Sequence, residues 1–401
     1  MKKILLFSLT LFFLKLADGM FTFWAPVQIK SALGSEFLMG IIISIQSILG
    51  LTMDLVFPKL LGTFKTRSLI FWSIIVTMTA SILLFSTAYF PFVLLFLITM
   101  LAWAIYFELT SFANYQFVGC SIEKQERPMA WGILNFSRNL AFLIGPIIAS
   151  ILLIKSVLIL EVVIVSILFV AFIVFFATSH IHEIQTDLEF TRVNPWLELT
   201  HWEVLLKTVW PAIIMSLLIG FIDATYWTIG AVWAERIIIT NYLGGLIIPS
   251  YILPSLITGL VLIKFEASNG KKFITEKLLL VVGILLTLMS INNSMVWKLV
   301  MIFLSSGFLS VCYPLLDGVY SDLISRMGKE KKDMIGLTSA TLNLSYIIWP
   351  PIAGLLATKF GESLTFSYLG VLVFITALIL LFITPKKLRL PQEEIRRWDV
   401  E

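Results

Sequence analysis

Apolar runs of about 20 residues or more recur along this chain from its start almost to its end. A helix rises about 1.5 Å per residue, so a run of that length crosses a hydrocarbon core about 30 Å thick. Inside a bilayer every backbone N–H and C=O must be satisfied within the protein, and a helix does this locally. A membrane barrel needs short segments of alternating polarity instead, and the sequence has none. Composition points the same way, with 59% hydrophobic residues, 13% charged residues and a mean hydropathy of +0.96.

The runs predict twelve spans, at about 4–30, 36–58, 68–88, 91–118, 128–154, 157–179, 207–234, 241–264, 273–291, 297–322, 334–357 and 363–385. The polar segment 180–206 divides them six and six. The expected organisation is a first six-helix bundle over 1–179, a cytoplasmic central loop over 180–206, a second bundle over 207–385 and a cytoplasmic tail over 386–401. The N-terminal stretch has the basic start and apolar core of a secretory signal. Lys15 and Asp18 interrupt the region where cleavage would fall, and apolar sequence continues to about Val27, so it is expected to stay as the first helix.

With the N-terminus inside, Lys2, Lys3, Lys59, Lys65, Arg67, Lys124, Arg127, Lys271, Lys272, Lys331 and Lys332 collect on the cytoplasmic side. Lys30, Lys155, Arg236, Lys298 and Lys359 fall outside. This bias predicts cytoplasmic termini and a multi-pass protein of the cell membrane. The net charge of +4 fits such a topology and gives no reason to expect a nucleic-acid partner. Cys120 and Cys312 lie too far apart in sequence to suggest a disulfide framework. No phosphate-cradling glycine loop is present, His180 and His182 lack further clustered ligands, and no nucleophile stands beside a base. ATP-driven pumping, a metal site, a cofactor and enzymatic catalysis are therefore not expected.

The two halves overlay with a shift of about 205 residues. Asp18 falls on Asp223, and GIIISIQSILGLTMDLVF from Gly40 falls on GLIIPSYILPSLITGLVL from Gly245. At a shift of 204, Gly132, Asn139 and Pro146 meet Gly336, Asn343 and Pro350. Six spans separate the copies, so the repeat is parallel, one of the architectures of secondary transporters, with a substrate site between the halves near the midplane.

With its twelve spans, six-plus-six division and cytoplasmic central loop, the chain resembles the major facilitator superfamily. The resemblance implies an all-α polytopic membrane protein of two pseudo-symmetric six-helix bundles. In the loop between helices two and three, LLGTFKTRSLI keeps Gly62 and Arg67 of the family's motif, with Asp54 nearby, but Thr66 and Leu69 replace its acid and second glycine. The second-half counterpart keeps Gly270, Lys271 and Lys272. These positions are candidates for a cytoplasmic gating loop. Gly145-Pro146 in helix five is similar to part of an antiporter signature.

A charge in the bilayer centre usually faces a cavity or a partner. Asp18 and Asp223 sit near mid-span, and the resemblance makes helices one and seven cavity-lining. Both are candidates for proton coupling or solute contact, since burial disfavours the charged form of a carboxyl group. The alternative for Asp18 is a local bond to Lys15 or backbone. Glu108 and Arg138 lie at similar depth on helices four and five and are expected to pair, structurally or as a charge pair that rearranges. Asp317 on helix ten is a further candidate. Tyr106, Tyr226, Trp24 and Trp227 are the cavity aromatics expected to stack on a solute or hold a cation.

The reading is a monomeric secondary transporter moving a small solute by alternating access, with protons or another ion as driver. Export of an apolar or amphipathic compound is favoured over uptake of a sugar or organic acid. A membrane sensor or scaffold on the same fold is the alternative of another class.

Overall fold

The computed structural model describes residues 2–61, 64–123, 125–177, 195–261, 270–324, 327 and 331–385. They form twelve long helices. The first six are α1 (Lys2–Leu33), α2 (Glu36–Leu61), α3 (Thr66–Ser86), α4 (Val93–Ser121), α5 (Arg127–Lys155) and α6 (Val157–Ala177). The seventh, α7, runs through Pro195–Thr225, a π-turn at Tyr226–Gly230, and Ala231–Ile238. Then follow α8 (Ile247–Val261, entered by a 3₁₀ turn at Tyr242–Leu246), α9 (Lys271–Leu288), α10 (Met295–Ile324), α11 (Lys331–Phe360) and α12 (Glu362–Ile383). Nine helical segments among the described residues are long and apolar enough to cross a membrane.

The expected spans are all found, with one boundary displaced. The seventh helix begins at Pro195, about a dozen residues before the apolar run at 207. Proline suits a first helical position, and polar residues there extend the helix without extending its apolar part. His180, His182 and the tail 386–401 lie outside the described residues.

α6 shows why these helices belong in lipid. Leu160, Ile164, Leu168, Ala171 and Phe175 are buried on one face. Leu158, Val162, Phe169 and Ile173 stand exposed on another. Water would penalise that apolar stripe, whereas lipid does not. Many hydroxyl groups inside the spans are satisfied within their own helix. Thr77, Thr110 and Thr228 each donate to the carbonyl four residues back, at 2.6–2.8 Å.

The helices form two bundles. In the first, α1 packs on α5 and α6, and α4 packs on α2 and α3. In the second, α7 packs on α11, α9 on α10 and α12, and α8 on α10. Between the bundles, α2 meets α11, α5 meets α8, and α1 meets α7. We call the side where α1 begins the near end and the side of the α1–α2 turn the far end.

The halves are joined tightly at the far end. A Cβ on Gly40 would overlap the Pro350 carbonyl, and one on Gly354 would overlap the Glu36 carbonyl. Only glycine allows α2 and α11 to approach this closely. Beside them Ser44 donates to the Ile347 carbonyl at 2.6 Å. Arg236, on the last turn of α7, bridges Glu36 of α2 at 3.0 Å and Glu362 of α12 at 3.0 Å. Thr358 of α11 donates to the other Glu36 oxygen at 3.1 Å.

Candidate functional site

Asp18 is buried to 1% exposure in the middle of α1. Lys15, one turn earlier, donates to it at 3.1 Å, and Tyr106 of α4 donates to the same oxygen at 2.8 Å. The other oxygen accepts from Trp103 at 3.0 Å and from Thr22 at 3.3 Å. The Lys15 ammonium also lies over the Tyr106 and Phe107 rings, 4.8 and 5.2 Å from their centroids. This is a buried ion pair, the local bond that was the alternative for Asp18.

Asp223, its repeat partner, has different surroundings. Tyr346 of α11 donates to one oxygen at 2.6 Å, and Tyr251 of α8 donates to the other. Tyr313 of α10 lies within electrostatic reach, as does Arg138 of α5 across the bundle boundary. Among the described residues no ammonium or guanidinium group comes within 4.0 Å of it. The repeat explains the difference. At the shift of 205 that joins the aspartates, Lys15 meets Gly220. There the Ser345 hydroxyl occupies the space a side chain would need.

The π-turn begins three residues after Asp223. It adds a residue to that turn, as such bulges often do at functional sites. Tyr226 is turned into the second bundle, with its ring 4.0 Å from that of Tyr251 and nearly parallel to it. Trp227, half-buried, meets Phe142 of the first bundle edge-on at 5.3 Å.

A cavity of about 110 Å³ lies toward the near end, lined by Leu11, Lys15, Ser111, Asn114, Tyr115, Trp131, Leu134, Asn135 and Arg138. One water needs about 10–15 Å³ of such volume, so several fit. Tyr115, Asn135 and Arg138 are exposed, so the cavity is open.

The expected Glu108–Arg138 pair is absent. α4 and α5 scarcely touch, because α4 packs on α2 and α3 while α5 packs on α1. Glu108 accordingly lies on the side of Gly50, whose Cβ would be 3.7 Å from it. Arg138 faces the cavity. Of the expected cavity aromatics, Tyr106 belongs to the Asp18 network and Tyr226 to the second bundle's core. Trp24 is fully buried, with an indole N–H that finds no acceptor among the described residues. Asp317 is exposed on α10, one turn nearer the near end than Tyr313.

Of the gating-loop candidates, Gly62 and the side chain of Asp54 lie outside the described residues. Arg67 is half-buried in the first turn of α3. Gly270 precedes α9 with φ +78°. Lys271 pairs with Asp322 at 2.9 Å, and Lys272 with Glu276 at 2.6 Å. Both bonds stay within the second bundle.

The profile of the Major Facilitator Superfamily matches residues 7–329. The chain belongs to this superfamily. No curated protein matches it in sequence. Among solved structures, the fold is similar to the nucleoside transporter NupG, with 13% identity and a TM-score of 0.73 over 96% of this chain and 100% of that one. It is also similar to the peptide transporter POT, with 13% identity and a TM-score of 0.70 over 97% and 95%. A third likeness is the E. coli fucose:proton symporter FucP, with 14% identity and a TM-score of 0.58 over 94% and 98%. At such identity the likeness concerns the fold. The chain is thus a multi-pass membrane protein of major facilitator type, with a fold shared by transporters.

Within this major facilitator protein, sequence reading missed Tyr251 and Tyr346 as partners of Asp223. Both stand in the repeat segments already aligned, and a mid-span phenol needs a hydrogen-bond partner. That need is the signal that points to them.

Proposed function

We propose that this protein is a secondary transporter that moves a small solute by alternating access, with Asp223 as its proton-coupling carboxylate. The observation that carries the reading is the placement of Asp223. Among the described residues its carboxyl group has no cation bonded to it, and it accepts from phenols on α8 and α11, at the boundary between two halves joined tightly at the far end. A proton on Asp223 would end its attraction to Arg138 on the opposite half and change the Tyr251 and Tyr346 bonds. Loading a proton would thus alter what the halves exchange. Asp18, saturated by Lys15, serves as the fixed counterpart.

With the termini cytoplasmic, as the Lys/Arg bias predicts, the far end faces outside and the cavity opens inward. The site then works as a monomer in the cell membrane. The transporters similar in fold include a fucose:proton symporter, which supports proton coupling by analogy. The polar cavity lining favours an amphipathic solute over a wholly apolar one. Gly145 of the antiporter-like Gly-Pro would place a Cβ 3.0 Å from the backbones of Leu16 and Met20. That is a role in joining α1 to α5, and it serves export and uptake alike.

The test needs no solute. Spin labels at Gly34 and Tyr242, on far-end turns of opposite halves, report the gap between them in a background lacking Cys120 and Cys312. Two distance populations whose ratio changes between pH 5.5 and 8 in the parent, but not in Asp223→Asn, are expected. One fixed distance under all conditions would favour the scaffold reading, which the open, polar cavity argues against.

A further inference from the structure

Arg138 has no bonded counter-charge among the described residues. It stands near mid-span on α5 and is exposed to the cavity. Among the described residues no carboxylate lies within 4.0 Å of it and no group bonds to its guanidinium. The carboxylates of Asp223 and Asp18 act on it only from a distance. The other cation on the cavity wall, Lys15, is already matched by Asp18 at 3.1 Å. The cavity therefore has one net positive charge at a depth where an unanswered charge is costly.

Two further features surround it. The Asn114 side-chain oxygen is buried against the cavity without a hydrogen-bond partner among the described residues. Trp131 and Tyr115 form an aromatic wall, with ring centroids 5.1 Å apart at 61°. A guanidinium fork fits a carboxylate or phosphate through two parallel hydrogen bonds. An idle amide oxygen accepts one N–H or O–H. Aromatic faces take a flat or apolar body.

We propose that the transported solute is a small organic anion. Its carboxylate or phosphate group sits on Arg138, its ring or apolar body lies against Trp131 and Tyr115, and a donor group reaches Asn114. The proposal rests on the transporter reading and names the solute class of that site. It also assigns the two halves unequal work. The first holds the anion, and the second holds the carboxylate that competes with it for Arg138.

Thermal shift of the purified full-length protein tests this directly. Benzoate, 4-hydroxybenzoate and phenyl phosphate are the anionic probes, benzamide and benzylammonium the matched neutral and cationic ones. Inorganic phosphate is run alone. A bound ligand raises the melting temperature. The anions should raise it, and the neutral and cationic rings should not. The response should vanish in Arg138→Gln and weaken several-fold in Arg138→Lys, which keeps the charge without the fork and serves if Arg138→Gln does not fold.

An undiminished response in either variant, or no response to any organic anion, would overturn the proposal. Inorganic phosphate matching phenyl phosphate would overturn its organic part. The outcome is separable from the transporter test. A far end that opens while anions fail to bind removes the anion site and leaves the transporter. Anion binding with an immobile far end removes the transporter and leaves the site.

Discussion

Asp18 and Asp223 occupy equivalent places in a repeat, yet their side chains meet opposite chemistry. Removing one member of a buried ion pair leaves a bare charge and costs about 3–5 kcal/mol, whereas replacing both is far milder. Lys15→Met should therefore lower the melting temperature strongly, and Lys15→Met with Asp18→Asn should recover much of the loss. A double-mutant cycle followed by thermal denaturation measures this. At the other site, Tyr346→Phe removes a hydrogen bond to a charged acceptor, worth about 1.5–3 kcal/mol. It should displace the midpoint of the pH-dependent far-end distance while leaving the fold intact, as spin-label titration would show. The pairing of the aspartates was legible in sequence because a shared shift aligned them. The difference between them was half-legible. Lys15 against Gly220 can be read from the alignment, but Tyr251 and Tyr346 reach Asp223 only through the packing of α8 and α11 on α7.

The helices themselves were plain in the sequence, since bilayer burial demands long apolar runs. What could not be read is where a helix departs from its run. α7 continues beyond its apolar part to Pro195, because hydropathy reports lipid contact rather than helicity. Its π-turn at Tyr226–Gly230 has no compositional mark. The close meeting of α2 and α11 was likewise hidden, although Gly40 stood in the aligned repeat. Overpacking such a contact costs about 1–3 kcal/mol. Gly40→Ala should push α2 from α11 and raise the far-end-open fraction in the spin-label distances. Gly132→Ala on α5 is the control, because a Cβ there meets nothing within 4 Å.

At the scale of the molecule, the two bundles are held by charge as well as by packing. Arg236 joins Glu36 of the first bundle to Glu362 of the second, so Arg236→Gln removes the one cation bonded to both among the described residues and leaves Glu36 only Lys30 at 4.0 Å. The far-end-open population should rise severalfold, measured by the distance between spin labels at Gly34 and Tyr242 in the background lacking native cysteines. Sequence reading recognised Arg236 only as a topology marker, because the acids it joins are far apart along the chain. The members of this cluster differ in their access to water. The Arg236 side chain is 50% exposed, while those of Glu36 and Glu362 are 9% and 8% exposed. Dissolved ions reach the guanidinium and weaken attractions over a Debye length of about 8 Å at 0.15 M. If the halves alternate as proposed, the ionic strength of the medium bathing that face shifts their equilibrium. High salt should weaken this far-end bridge and low salt strengthen it.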